Sequence, residues 1–147
     1  MKAPQFIFIL GMFLFYVACA KNDEPFPEST LGADAEKWEA LSLKDYDYTL
    51  QISCFCMVEY TMPKRIEVRD NKVISVAGVP IEKVNDPSYR TINGFFEYII
   101  EQRKLDPVVE KIEYDSEFGF PTYIFFDISE MIADEEIAYT LTNFTPY

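Results

Sequence analysis

From Tyr46 onward the side chains alternate. Tyr46, Tyr48, Leu50, Ile52, Cys54 and Cys56 fall on one side, and Asp47, Thr49, Gln51 and Ser53 on the other. Only an extended strand has a period of two, so this run demands a sheet with one buried face and one wet face. Something apolar must cover the buried face. Two segments have the helical spacing to do so. Leu31, Ala35, Trp38 and Leu41 form one stripe, with Asp34, Glu36, Lys37 and Glu39 outside it. Ile92, Phe95, Phe96, Ile99 and Ile100 form a second, broader stripe behind Thr91 as N-cap, with Pro107 beyond its end. Ile66 and Val68 predict a second strand, Asp70-Asn71 a two-residue turn tolerant of positive φ, and 73–77 a third strand. A loop with Gly78, Pro80 and Asn85-Asp86-Pro87-Ser88 follows. Strands are expected at 108–114, 122–128 and 136–144, with 114–121 as the hairpin loop between the first two. The expected fold is α+β: a small antiparallel sheet of about six strands, two helices packed on one face, and a helix-strand-strand-strand order repeated twice. The many aromatic residues suit a small core, because rings bury the most area per residue.

The first eighteen residues read as an address. Lys2 and the amino terminus precede an uncharged run of thirteen residues, Phe6 to Ala18. A spanning helix needs roughly 20 apolar residues, so this run predicts a secretory signal. Tyr16-Val17-Ala18-Cys19 resembles the lipobox of bacterial lipoproteins, in which the Cys becomes the acylated first residue. Tyr16 stands where that pattern usually has Leu. Ala18-Cys19-Ala20 also satisfies the small-x-small rule of ordinary cleavage, which would discard Cys19. The expected division is a lipoprotein signal over 1–18, an acidic tether over 19–32 and one domain over 33–147. Acidic Asp23 and Glu24 behind the Cys resemble the tethers of surface-displayed lipoproteins. The expected location is the bacterial cell envelope, anchored by acyl chains on Cys19, at the outer membrane.

Charge narrows the function classes. Thirteen Lys and Arg stand against 25 Asp and Glu, a net charge of −12. Nucleic acid and anionic lipid both need a basic patch, so neither is an expected electrostatic partner. The chain has no His, which removes the imidazole bases, the Ser/His and Cys/His pairs and the commonest zinc ligand. None of its five Gly lies in a phosphate cradle or nucleophile elbow. No cofactor and no metal site are expected.

Two constellations remain as candidates. Cys54 and Cys56 stand about 6.6 Å apart if the strand continues through them, near the limit for a disulfide; a bend at Phe55 brings them into range. A local disulfide, two buried free thiols and a redox or metal role all remain open. The second constellation is acidic: Asp115 and Glu117 in one loop, and Asp127, Asp134, Glu135 and Glu136 around another. Paired carboxylates could cleave glycosides if they face each other across a cleft. A calcium loop starting at Asp127 fails, because Met131 and Ala138 fall where ligands are needed. A solvated acidic rim is the simpler reading.

Asp47-Tyr48, Cys54-Phe55-Cys56, Ile66-Glu67-Val68 with Asp70-Asn71-Lys72-Val73, and Ile112-Glu113-Tyr114-Asp115 with Phe118-Gly119-Phe120-Pro121-Thr122 together resemble a bacterial envelope family. It is catalogued only as domain of unknown function 6174. Asp127, Asp134-Glu135-Glu136 and Tyr139 fit the same pattern, which covers residues 38–144. The resemblance implies secreted or lipid-anchored proteins with a small α+β fold, and carries over no catalytic residue. The expected function is that of an uncharacterised, non-enzymatic envelope module that binds another envelope protein or polymer. The alternative is a carboxylate-based hydrolase acting on envelope or extracellular polymer.

Overall fold

A computed structural model of the chain describes residues 31–84, 86–129, 131 and 136–147. The segments expected to be signal, lipobox and tether, including Cys19, lie outside the described residues apart from Leu31 and Gly32. The elements are α1 (Ala33–Leu41), β1 (Tyr46–Ser53), α2 (Val58–Thr61), β2 (Lys64–Arg69), β3 (Lys72–Val76), β4 (Val79–Pro80), a 3₁₀ turn (Ile81–Lys83), α3 (Ile92–Arg103), β5 (Val109–Tyr114), β6 (Pro121–Asp127) and β7 (Ile137–Pro146). All strands join one antiparallel sheet in the order β4-β3-β2-β1-β7-β6-β5. This is a small α+β fold, but it departs from the expected plan. The sheet has seven strands rather than about six, because Val79–Pro80 pairs with β3 where a loop was expected. A third α-helix, the single turn α2, interrupts the first strand trio and buries none of its residues. The duplicated helix-strand-strand-strand order and the two-helix cover are therefore corrected.

The period-two segment sits at the centre of the sheet. Its apolar members Tyr46, Tyr48, Leu50 and Ile52 are buried, joined across the sheet by Ile66, Val68, Leu141, Tyr139 and Ile124. Trp38 of α1 meets Tyr46 edge-on at 5.4 Å between ring centroids, and Phe95 of α3 meets Tyr48 at 6.4 Å. Such edge-to-face pairs contribute about 0.5 to 1.5 kcal/mol beyond their area.

Three polar handles fix where α3 begins. The Tyr46 hydroxyl accepts from Ile92 N at 2.8 Å, the Tyr48 hydroxyl donates to Arg90 O, and Trp38 Nε1 donates to Asn93 Oδ1 at 2.7 Å. A buried hydroxyl without a partner costs about 1 to 3 kcal/mol, so these bonds decide the helix position as much as apolar contact does. Burial pushes both tyrosine pKa values upward, keeping the hydroxyls neutral and able to act as partners. Thr91 caps the helix as expected, its Oγ1 accepting from Gly94 N at 3.0 Å.

Turn chemistry follows the sequence where one residue type is required. Asp70 and Asn71 have φ of 49° and 53°, the conformation a two-residue hairpin turn needs. Asp115 Oδ1 accepts from Glu117 N and Phe118 N, shaping the β5–β6 loop. Gly119, at φ 81°, ends that loop against α1, where an added Cβ would lie 2.3 Å from Asp34 O. Gly119→Ala is expected to destabilise the domain by about 2 to 4 kcal/mol, combining left-handed strain with displaced backbone. A urea midpoint within error of the parent chain would show that this contact does not hold α1.

Candidate functional site

The helix-free face of the sheet carries one built polar cluster. Asp47 projects there from β1 and is buried. Its carboxylate accepts from Arg65, from Arg69 Nη1 at 2.9 Å and from the Tyr147 hydroxyl at 2.8 Å. The Arg69 guanidinium also lies 4.6 Å from the Tyr147 ring centroid. Burial pushes the Asp47 pKa up, but the bonds from Arg65, Arg69 and Tyr147 together outweigh it and hold the carboxyl below its usual range. The adjoining pocket, about 240 Å³ and lined by Asp47, Thr49, Arg65, Asn143, Thr145 and Tyr147, is smaller than the ~300 to 1,000 Å³ of typical ligand sites. Each charge in the cluster already has a partner. Its evident work is to tie the last residue to the sheet: Tyr147 N also donates to Asp45 O at 3.0 Å.

A different feature appears where β1 stops. The strand was expected to run through Cys56, but it ends at Ser53 and the chain bends through Cys54-Phe55-Cys56. The bend brings the two Cys Cα atoms to 5.3 Å, within disulfide range, and the structure joins their sulfurs. The two Cys part here: Cys54 is half-buried against the core and Cys56 is exposed. A bridge between residues two apart closes so small a loop that chain entropy gives it only about 1.5 kcal/mol. It therefore shapes a local feature and does not staple the fold.

That feature is an apolar tip. Phe55 is 84% exposed, Met57 67%, Val58 68%, Met62 60% and Tyr60 43%, five large apolar side chains within eight positions. Single exposed apolar residues are ordinary; a contiguous group marks a contact surface. Several backbone groups of the tip from Met57 onward are paired from within. Tyr60 N donates to Met57 O at 2.9 Å, Thr61 Oγ1 to Val58 O at 3.0 Å, and Lys64 Nζ to Glu59 O at 2.6 Å. Lys64 Nζ also reaches Tyr60 O and Met62 O, each at 3.5 Å. Sequence reasoning singled out the Cys pair and the bend at Phe55, and it missed Met57, Val58 and Met62. Adjacent Met57-Val58 breaks the alternation and leaves no room for a helix long enough to have a buried face, and that was the available signal.

The acidic candidates do not converge. Asp115 and Glu117 lie in the β5–β6 loop, at the Tyr46 end of the sheet, while Asp127 and Glu136 flank the Ser53 end. Seven residues of β6 separate the two groups, about 20 Å, against the ~5 to 9.5 Å a glycosidase pair needs. The Asp115 and Asp127 carboxylates accept backbone amides of their own loops. Asp134 and Glu135 lie outside the described residues. Among the described residues no group of three or more Cys, Asp or Glu is placed to hold a metal ion, and no helix is long and apolar enough to cross a membrane.

A family model described as a family of unknown function (DUF6174) matches residues 30–146. No curated protein and no solved structure matches the chain.

A folded carboxyl held below its unfolded value stabilises the fold above that unfolded value, and the stability is lost as pH falls through the folded one. Asp47 is therefore expected to make the domain acid-sensitive below about pH 4. In urea titrations between pH 2 and pH 6, Asp47→Asn should flatten that dependence and lower the midpoint at pH 6. An unchanged acid profile would assign the sensitivity to other carboxylates.

Proposed function

Because the chain belongs to the DUF6174 family, whose function is unknown, we propose its role from its own chemistry: a lipid-anchored protein of the bacterial cell envelope whose domain is a non-catalytic binding module. The observation that carries this reading is the exposed apolar tip between β1 and β2. A fold that buries Tyr46, Tyr48, Phe95 and Phe96 leaves Phe55, Met57, Val58 and Met62 in water. Exposure of such a group is costly unless a partner covers it. Phe, Tyr and Met are also the residues enriched at the centres of protein contact surfaces. Support for the anchor comes from the sequence: a short apolar signal, Cys19 behind Ala18, and a polar, acidic, Pro-containing tether. The domain's acidity makes the anchor a hydrophobic one, since like charge opposes contact with anionic lipid. The outer membrane is the location this reading favours.

The two halves of the proposal are tested separately. Intact mass of the mature protein is expected to give a chain beginning at acylated Cys19; a chain beginning at Lys21 contradicts the anchor. For the module, a photoactivatable residue at position 55 in living cells should form adducts, with protein or lipid, that the same group at Thr142 on the helix-free face does not. Equal yields at 55 and 142 contradict the assignment of the tip.

A further inference from the structure

Taking the binding-module reading as its basis, we infer that the surface the Cys54–Met62 tip contacts is a zwitterionic lipid bilayer, into whose interface the tip dips reversibly as a second attachment beside the acyl anchor.

From Met57 onward the tip's hydrogen bonding suits a place poor in water. A segment entering lipid must satisfy its backbone polar groups internally, because the hydrocarbon offers no partners. Here the carbonyls of Met57, Val58, Glu59, Tyr60 and Met62 all accept from the segment itself or from Lys64. A single side chain, the Lys64 ammonium, serves three of them. An apolar knob designed only for a solvent-exposed loop has no need of this.

Exposure also falls from apolar to polar side chains, Glu59 excepted. Phe55, Met57, Val58 and Met62 are the most exposed, Tyr60 less so, and Lys64 is half-buried behind them. Exposed apolar groups flanked by a tyrosine and a lysine are the side chains that settle at the water–lipid boundary. Between Cys54 and Pro63 the only formal charge is Glu59, in a chain that is 26% charged. With a net charge of −12, attraction cannot be electrostatic, so contact is driven by apolar area and suits lipid without net charge.

Chain geometry permits the contact. The described chain enters at Leu31, and α1 lies against the β5–β6 loop through Gly119, at the end of the sheet opposite the tip. The eight residues of β1 span about 27 Å. Residues 19–30 reach as far as about 40 Å when extended. An anchored domain can therefore bring its far end down to the same bilayer, where the short tether makes local concentration high.

The test uses the mature chain carrying Cys19→Ala, so that no acyl chain contributes, floated with phosphatidylcholine vesicles at 0.1 and 0.5 M salt. The parent sequence is expected to float equally at both. Phe55→Ser with Met57→Ser should lower the partition coefficient at least about tenfold. An unchanged urea midpoint for that variant shows that the fold is intact. A chain that stays at the bottom of the gradient, or a double variant that floats as well as the parent, overturns the inference. Should the parent fail to float while position 55 crosslinks to a protein in cells, the lipid assignment falls and the module reading stands. If position 55 crosslinks no better than 142, both fall.

Discussion

The start of α3 is the point on which the rest of this domain depends. Two tyrosines two residues apart on the central strand and a tryptophan on α1 all place a polar atom there, at Arg90 O, Ile92 N and Asn93 Oδ1. Apolar packing alone lets a helix slide along a sheet, because area changes little with small shifts. Three hydrogen bonds, one buried and two part-buried, do not allow that, since each broken bond leaves a polar group short of a partner. With α3 fixed, Phe95 reaches Tyr48 and Tyr139, and Phe96 lies parallel to the Tyr114 ring. The sheet is thereby held from β1 to β5.

The central strand thus has two working faces. Its tyrosines organise the helix side, and Asp47 between them gathers Arg65, Arg69 and Tyr147 on the other. The Asp-Tyr pair that carries the family resemblance holds both faces of this strand in place. Phe118-Gly119-Phe120-Pro121 reads the same way. Phe120 and Pro121 are buried, and Gly119 makes the close approach to α1. The apolar material between β1 and β2 is left outside this architecture.

How much was legible follows from how local each signal is. The Tyr46 alternation, the Asp70-Asn71 turn and the Thr91 cap depend on neighbours a few residues away, and all three appear where the sequence places them. Pairing of β1 with β7, a hundred residues on, leaves no local trace. Nor does the two-residue β4, which exists only because β3 offers an edge. The strand's end at Ser53 was missed because Cys54 and Cys56 continue the alternation, while the bend obeys the bridge between them. In so acidic a chain the proximity of carboxylates in sequence carries little information, and that β6 sets the two groups at opposite ends is visible only in the fold.

The central claim is that the exposed apolar tip at Cys54–Met62 is left uncovered for a partner. Hydrogen exchange of the Cys19→Ala chain, with and without phosphatidylcholine vesicles, tests it most directly, because protection is read segment by segment. The account predicts slowed exchange on vesicle addition confined to residues 54–64, with Thr49 and Thr142 on the helix-free face unchanged. Protection appearing on that face instead, or no change at the tip, would contradict it.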